Sequence, residues 1–112
     1  MTDVAALLRA IPKRARFGAH TYSITKQVIP DHKDSWATID IHKHEVTIET
    51  RTPNGPKLAE SVVHEFLHGI WNERQLPDTA KEEDAVRHLA CGLIAMFNDN
   101  AWLLPWLIRA IR

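Results

Sequence analysis

His64-Glu65-Phe66-Leu67-His68 is the one cluster in this 112-residue chain whose residue types and spacing suit metal chemistry. Residues four apart on a helix lie on one face, a turn above one another. His64 and His68 can therefore reach a single cation at about 2.0–2.1 Å. Counting about 100° per residue from His64 places His68 at about 40° and the centre of the apolar stripe near about −120°. The two imidazoles then stand beside the buried face, walled by protein on one side and open to water on the other. Glu65, at about 100°, is on the same side and can take a proton from a metal-bound water.

A catalytic zinc takes three protein ligands and keeps a fourth position for water, so two histidines leave one donor to find. Glu73 falls near about 180°, on the wrong face. Glu82, Glu83, Asp84 and His88 lie in the following helix. Glu82 has a local role as the third-position partner of Thr79 in a capping box, and Asp84 suits the positive helix start. Glu83 has no local partner and is chosen as the third ligand, with Glu82 next. A lone histidine such as His88 in a core-packed helix is more often structural.

The runs His64-Glu65-Phe66-Leu67-His68-Gly69-Ile70-Trp71 and Glu82-Glu83-Asp84-Ala85-Val86-Arg87-His88-Leu89-Ala90 resemble the minimal gluzincin metallopeptidases. These include the IrrE/ImmA-like domains and the short metallopeptidase-like proteins of bacteriophage and prophage genomes. In those families the third ligand is a glutamate seven residues before a small residue; with Ala90 in that place, the resemblance implies Glu83. It covers about residues 46–100 and departs at Val86-Arg87, where the larger family has a small residue followed by Asn.

The expectation is one zinc ion per chain, held by His64, His68 and Glu83, with Glu65 as general base in the hydrolysis of a peptide bond. The substrate is then a protein or peptide. Imidazole and carboxylate ligands also accept Mn, Fe or Co. The oxyanion donor is open among His44, Tyr22, Arg87 and His88. The alternative function is a catalytically silent zinc-containing binding or regulatory module. Glu65 favours the enzyme, since a structural zinc needs a fourth protein ligand and no base.

The elements that must position these groups follow from periodicity. Val4, Leu7, Leu8 and Ile11 have helical spacing until Pro12. The Tyr, Ile, Thr and Val content of His20–Ile29 predicts a strand. Trp36–Ile41 and Glu45–Thr50 alternate as two more, joined by a turn at His42-Lys43-His44. Glu45–Thr50 could add a substrate strand by edge pairing. A turn at Thr52–Pro56 leads to a helix over Lys57–Gln75 with Pro56 at its first position. Its stripe is Ala59, Val62, Val63, Phe66, Leu67 and Ile70. A helix from Thr79 to about Phe97 and a short helical segment over Trp102–Ile111 complete the chain. Strands before helices indicate an α+β fold: a small, mostly antiparallel three-stranded sheet packed on the motif helix and the one after it, zincin-like, forming a single domain over residues 1–112.

Composition narrows the partners. Fourteen basic and fourteen acidic side chains cancel, so nucleic acid is a poor partner. Lys13, Arg14 and Arg16 form the one basic cluster and read as a solvated turn. The apolar stretch Ala101–Ile111 is interrupted by Pro105 and Arg109 and is too short to span a bilayer. The single cysteine, Cys91, lies in an apolar helical run that predicts a buried thiol. With no disulfide and no signal-peptide pattern, a cytoplasmic location is expected.

Overall fold

A computed structural model describes residues 3–30, 36–77 and 82–112, except for the side chains of residues 82–84, 86 and 87. The elements in chain order are α1 (Val4–Ala10), β1 (Arg14–Phe17), β2 (His20–Gln27), β3 (Ala37–Asp40), β4 (Glu45–Glu49), α2 (Gly55–Glu73), α3 (Glu82–Asp99) and α4 (Leu103–Ile111). Among the described residues, no helix is long and apolar enough to cross a membrane.

The α+β class is as expected, but the sheet is four-stranded and mixed, in the order β1-β2-β4-β3. The added strand is β1. Its arginines, Arg14 and Arg16, face solvent while Ala15 and Phe17 are buried. Two of the three residues of the basic cluster, Arg14 and Arg16, therefore form the outer face of a strand rather than a solvated turn. A two-residue loop joins β1 to β2, and Gly18 there takes φ +60°, the backbone that a tight hairpin demands of its first central residue.

The second correction is the parallel pairing of β2 with β4, with Ile24 opposite Val46 and Lys26 opposite Ile48. The chain leaves β2, forms β3 at the far edge, and turns back so that β4 fills the place between them. Two hydrogen bonds within Asp40–Lys43 shape that return: Asp40 Oδ1 accepts from the amides of His42 and Lys43, both at 3.0 Å. His44 then adopts φ +55°. Strand β4, which could have offered an edge to a ligand or been an ordinary half-buried strand, is thus interior, bonded on both sides.

Helix α2 forms where its signals lie. The Asn54 side chain accepts from the Lys57 amide at 2.9 Å, satisfying one orphan donor of the first turn. Of the expected stripe, Ala59, Val62, Phe66 and Ile70 are buried while Val63 and Leu67 are only partly so, and Leu58 joins the buried face; Phe66 meets Phe17 edge-on at 4.9 Å. The other end closes with a Schellman turn: the Leu76 amide donates to the Trp71 carbonyl and the Gln75 amide to that of Asn72, both at 3.0 Å. Gln75 takes the left-handed position at φ +55° that glycine normally fills. This hook folds Leu76 back beside Trp71.

Helices α1 and α4 close the core around α2, joined by a hydrogen bond from Trp106 Nε1 to the Leu7 carbonyl at 2.8 Å. Lys26 Nζ reaches the Leu8 and Ile11 carbonyls, a cation at the negative end of α1. Contrary to expectation, Cys91 is exposed on α3, next to an Ile94 that is 72% exposed. The apolar run of α3 exceeds the face it can bury, and these two residues fall on the outside.

Candidate functional site

His64 and His68 project from α2 into solvent with Nε2 atoms 3.2 Å apart, the spacing that their four-residue separation predicts. Glu65 is half-buried beside them. Burial raises its pKa above the usual carboxylate value, opposed by the positive potential of His64 and His68.

Among the described residues no third donor joins them: no group of three or more His, Cys, Asp or Glu side chains is placed to hold a metal ion. Two imidazoles fall short of the three protein ligands of a catalytic zinc and the four of a structural one. The expected third ligand Glu83, and its alternatives Glu82 and Asp84, have side chains outside the described residues, as does all of Thr79. His88 is engaged elsewhere, accepting at Nδ1 from Arg74 Nε at 2.9 Å. Glu73 packs over Gly18. The reading of the chain as a zinc-dependent peptidase, or as a silent zinc-containing module, is therefore corrected: among the described residues the donor set does not fit one zinc ion.

What the motif helix does form, with β3, is a groove of about 790 Å³. Ala37, Ile39 and Ile41 line one side, and Glu65, His68 and Trp71 the other. Asn72, Gln75 and Leu76 close one end, built by the hook that terminates α2. Beyond the other end, a smaller hollow of about 210 Å³ continues past His64 and Glu65 to Lys57 and Glu60. An apolar recess between α2 and α3, walled by Leu67, Trp71 and Leu89, opens beside the same two histidines. Trp71 thus lines both the groove and this recess.

The polar atoms of β3 decide what this groove can do. The Glu49 amide donates to the Trp36 carbonyl at 2.9 Å, and Ala37 lies opposite Ile48 with Ile39 opposite Val46. In an antiparallel ladder the bonding direction alternates. Trp36, Thr38 and Asp40 therefore turn their backbone groups towards β4, and Ala37 and Ile39 turn theirs outward. The opposite edge of the sheet is different. There the outward residue of β1, Arg16, is met by Asn100: the Arg16 amide donates to Asn100 Oδ1 and Asn100 Nδ2 donates to the Arg16 carbonyl, both at 3.0 Å. The sequence marks Asn98-Asp99-Asn100 only as the end of the preceding helix, because the partner of Asn100 is 84 residues away.

No family model matches the chain, and no curated protein or solved structure is significantly similar to it, so the resemblance to gluzincins rests on the motif residues alone.

Proposed function

We propose that this protein is a peptide-binding module that takes an extended segment of a partner protein as an added strand on β3. The observation that carries this reading is the outward set of backbone groups at Ala37 and Ile39, next to a groove roofed by α2. An incoming strand would lie about 4.7–4.9 Å from β3 and exchange main-chain hydrogen bonds with those two residues. Alternate side chains of the ligand would then face α2. His64, Glu65 and His68 are polar contacts for them, and Ile39, Ile41, Trp71 and Leu76 form an apolar wall. The groove volume falls in the range of about 300–1,000 Å³ usual for ligand sites. Lys57, Glu60, Glu65 and the histidines mix both signs along it, so main-chain pairing, rather than net charge, supplies the common part of the affinity.

The test is to pan a displayed library of random dodecapeptides against the protein and synthesise the enriched sequence. Amide hydrogen exchange is then followed with and without that peptide. Slowed exchange at Ala37 and Ile39, with no change at Arg14 and Arg16, is the expected result. No enrichment, or protection elsewhere than β3, overturns the reading.

A further inference from the structure

The groove and the smaller hollow beyond it share two residues, Ala37 and Glu65. Ala37 is the first of the two β3 residues with outward backbone groups. Glu65 faces the same space from α2 and is half-buried. Among the described residues its carboxylate makes no hydrogen bond and no ion pair. The two imidazoles beside it lie against each other, Nε2 to Nε2. A carboxylate offers several acceptor sites, and one drawn partly out of water without partners is costly.

The other charges of the hollow are already matched. Lys57 Nζ lies 3.7 Å from Glu60 Oε2, and Ser61 Oγ donates to the Lys57 carbonyl at 2.8 Å. With His64 neutral, the described residues of the hollow leave one negative charge unmatched, that of Glu65. Ile39, Ile41 and Leu76 line the groove but not the hollow. The groove is therefore graded along β3, from a carboxylate beside Ala37 to an apolar wall beside Ile39.

Residues opposite one another in a ladder share a face of the sheet. Ala37 is buried and Ile39 half-buried on the α2 side, while Thr38 and Asp40 are exposed. An added strand thus sends the residues opposite Ala37 and Ile39 towards α2, two positions apart. We infer that the groove selects an extended segment with an arginine or lysine opposite Ala37 and a large apolar residue opposite Ile39. The hollow, about 210 Å³, takes the charged end of the long basic side chain, whose methylene stem lies along Ala37. The pattern reads basic-x-apolar in a segment parallel to β3 and apolar-x-basic in an antiparallel one. This inference rests on the peptide-binding reading and names the class of segment that fits it: main-chain pairing holds the ligand, and Glu65 chooses it.

The experiment aligns the dodecapeptides enriched from the random library and follows the best of them by calorimetry. The proteins are wild type, Glu65→Gln, Glu65→Lys and Ala37→Pro. The probes are the parent dodecapeptide and two variants in which its basic residue becomes Gln or Glu. Enriched sequences should share a basic residue two positions from a large apolar one. Glu65→Gln should weaken the parent by about 10-fold, one charge-assisted hydrogen bond, and leave the Gln peptide unchanged. Glu65→Lys should bind the Glu peptide more tightly than the parent, a reversal that a merely structural role for Glu65 would not produce. An enriched set without this spacing, or a Glu65→Gln that loosens parent and Gln peptides equally, overturns the inference. If Glu65→Gln does not fold, the parent and Gln peptides on wild type decide alone, and equal affinities overturn it. Hydrogen exchange separates the two levels: slowing at Ala37 and Ile39 by a peptide without the pattern removes the selectivity and keeps the groove. Parent binding unaffected by Ala37→Pro, or no enriched peptide at all, removes both.

Discussion

The two edges of the sheet are treated in opposite ways. At the β1 edge, one asparagine side chain reproduces what a neighbouring strand would offer: an acceptor and a donor for the same residue, Arg16, with Nδ2 also donating to the Met96 carbonyl at 2.9 Å. Asn100 is 4% exposed, so this substitute strand is part of the core. At the β3 edge, Ala37 and Ile39 keep their outward groups beside a groove. Open edges invite pairing with other chains, and natural proteins usually blunt them. Among the described residues, the fold closes one edge with a buried side chain and sets the other beside a walled groove.

The largest effect should come from unsealing β1. Asn100→Ala leaves the Arg16 amide and carbonyl unmet at about 1–3 kcal/mol apiece, partly recovered by water, so a loss of about 2–4 kcal/mol is expected in urea melts. Size-exclusion chromatography should then show new self-association through β1. A smaller contrast lies within β3. Thr38→Pro removes an amide that points to β4 and should cost about 2–3 kcal/mol. Ala37→Pro removes one that points outward, at the first residue of the strand where proline is tolerated, and should cost about 1 kcal/mol or less. Equal costs would mean that the alternation assigned to β3 is wrong.

Acid should loosen the open side first. Glu49, fully buried at the end of β4, has its pKa lowered from an ordinary 4.5 to about 2. The main cause is the bond from Arg51 at 2.6 Å, with the amides of Ile29 and Arg51 adding to it. A carboxylate depressed in the folded state contributes stability that is fully present above pH 4.5 and lost as pH falls towards 2. Chemical melts across that window should show an acid limb that is flatter in Glu49→Gln. Hydrogen exchange at low pH should rise first in β3 and β4, because the Glu49 amide is itself the bond to Trp36. The smallest effect is a gain. Gln75→Gly relieves a left-handed backbone and should add about 1 kcal/mol or less, read as a melting point a few degrees higher.

Helices were more legible in the sequence than the sheet, for physical reasons. The caps and stripe of α2 are local: Asn54 and Pro56 start it and Leu58 to Ile70 mark its buried face, so the periodicity is sufficient. The β3–β4 hairpin is also local, and both strands fall close to the expected positions. The neighbour that β4 takes on its other side is not local. Nothing within Glu45–Glu49 states that it pairs parallel with β2, and a strand that could have offered an edge therefore proved interior. Strand β1 was hidden by composition: Arg14 and Arg16 look like a charge cluster unless the alternation with Ala15 and Phe17 is weighed first. For the site, four-residue spacing correctly brought His64 and His68 to one face, because helix geometry dictates it. A third ligand is a tertiary matter, and among the described residues none joins them. Asn100 was undervalued for the same reason, its role depending on a partner far away in the chain.

The bond from Trp106 to Leu7 spans 99 residues, and this has a consequence in time. At about 5–20 residues per second, the Leu7 carbonyl is made about 5–20 s before the indole that will bind it. Helix α1 of the nascent chain cannot be seated by α4 during that interval, and its buried leucines, Leu7 and Leu8, lack their final neighbours. The closing of the core thus waits for α4, and the seven-residue α1, made before the other described elements, is among the last of them to be secured.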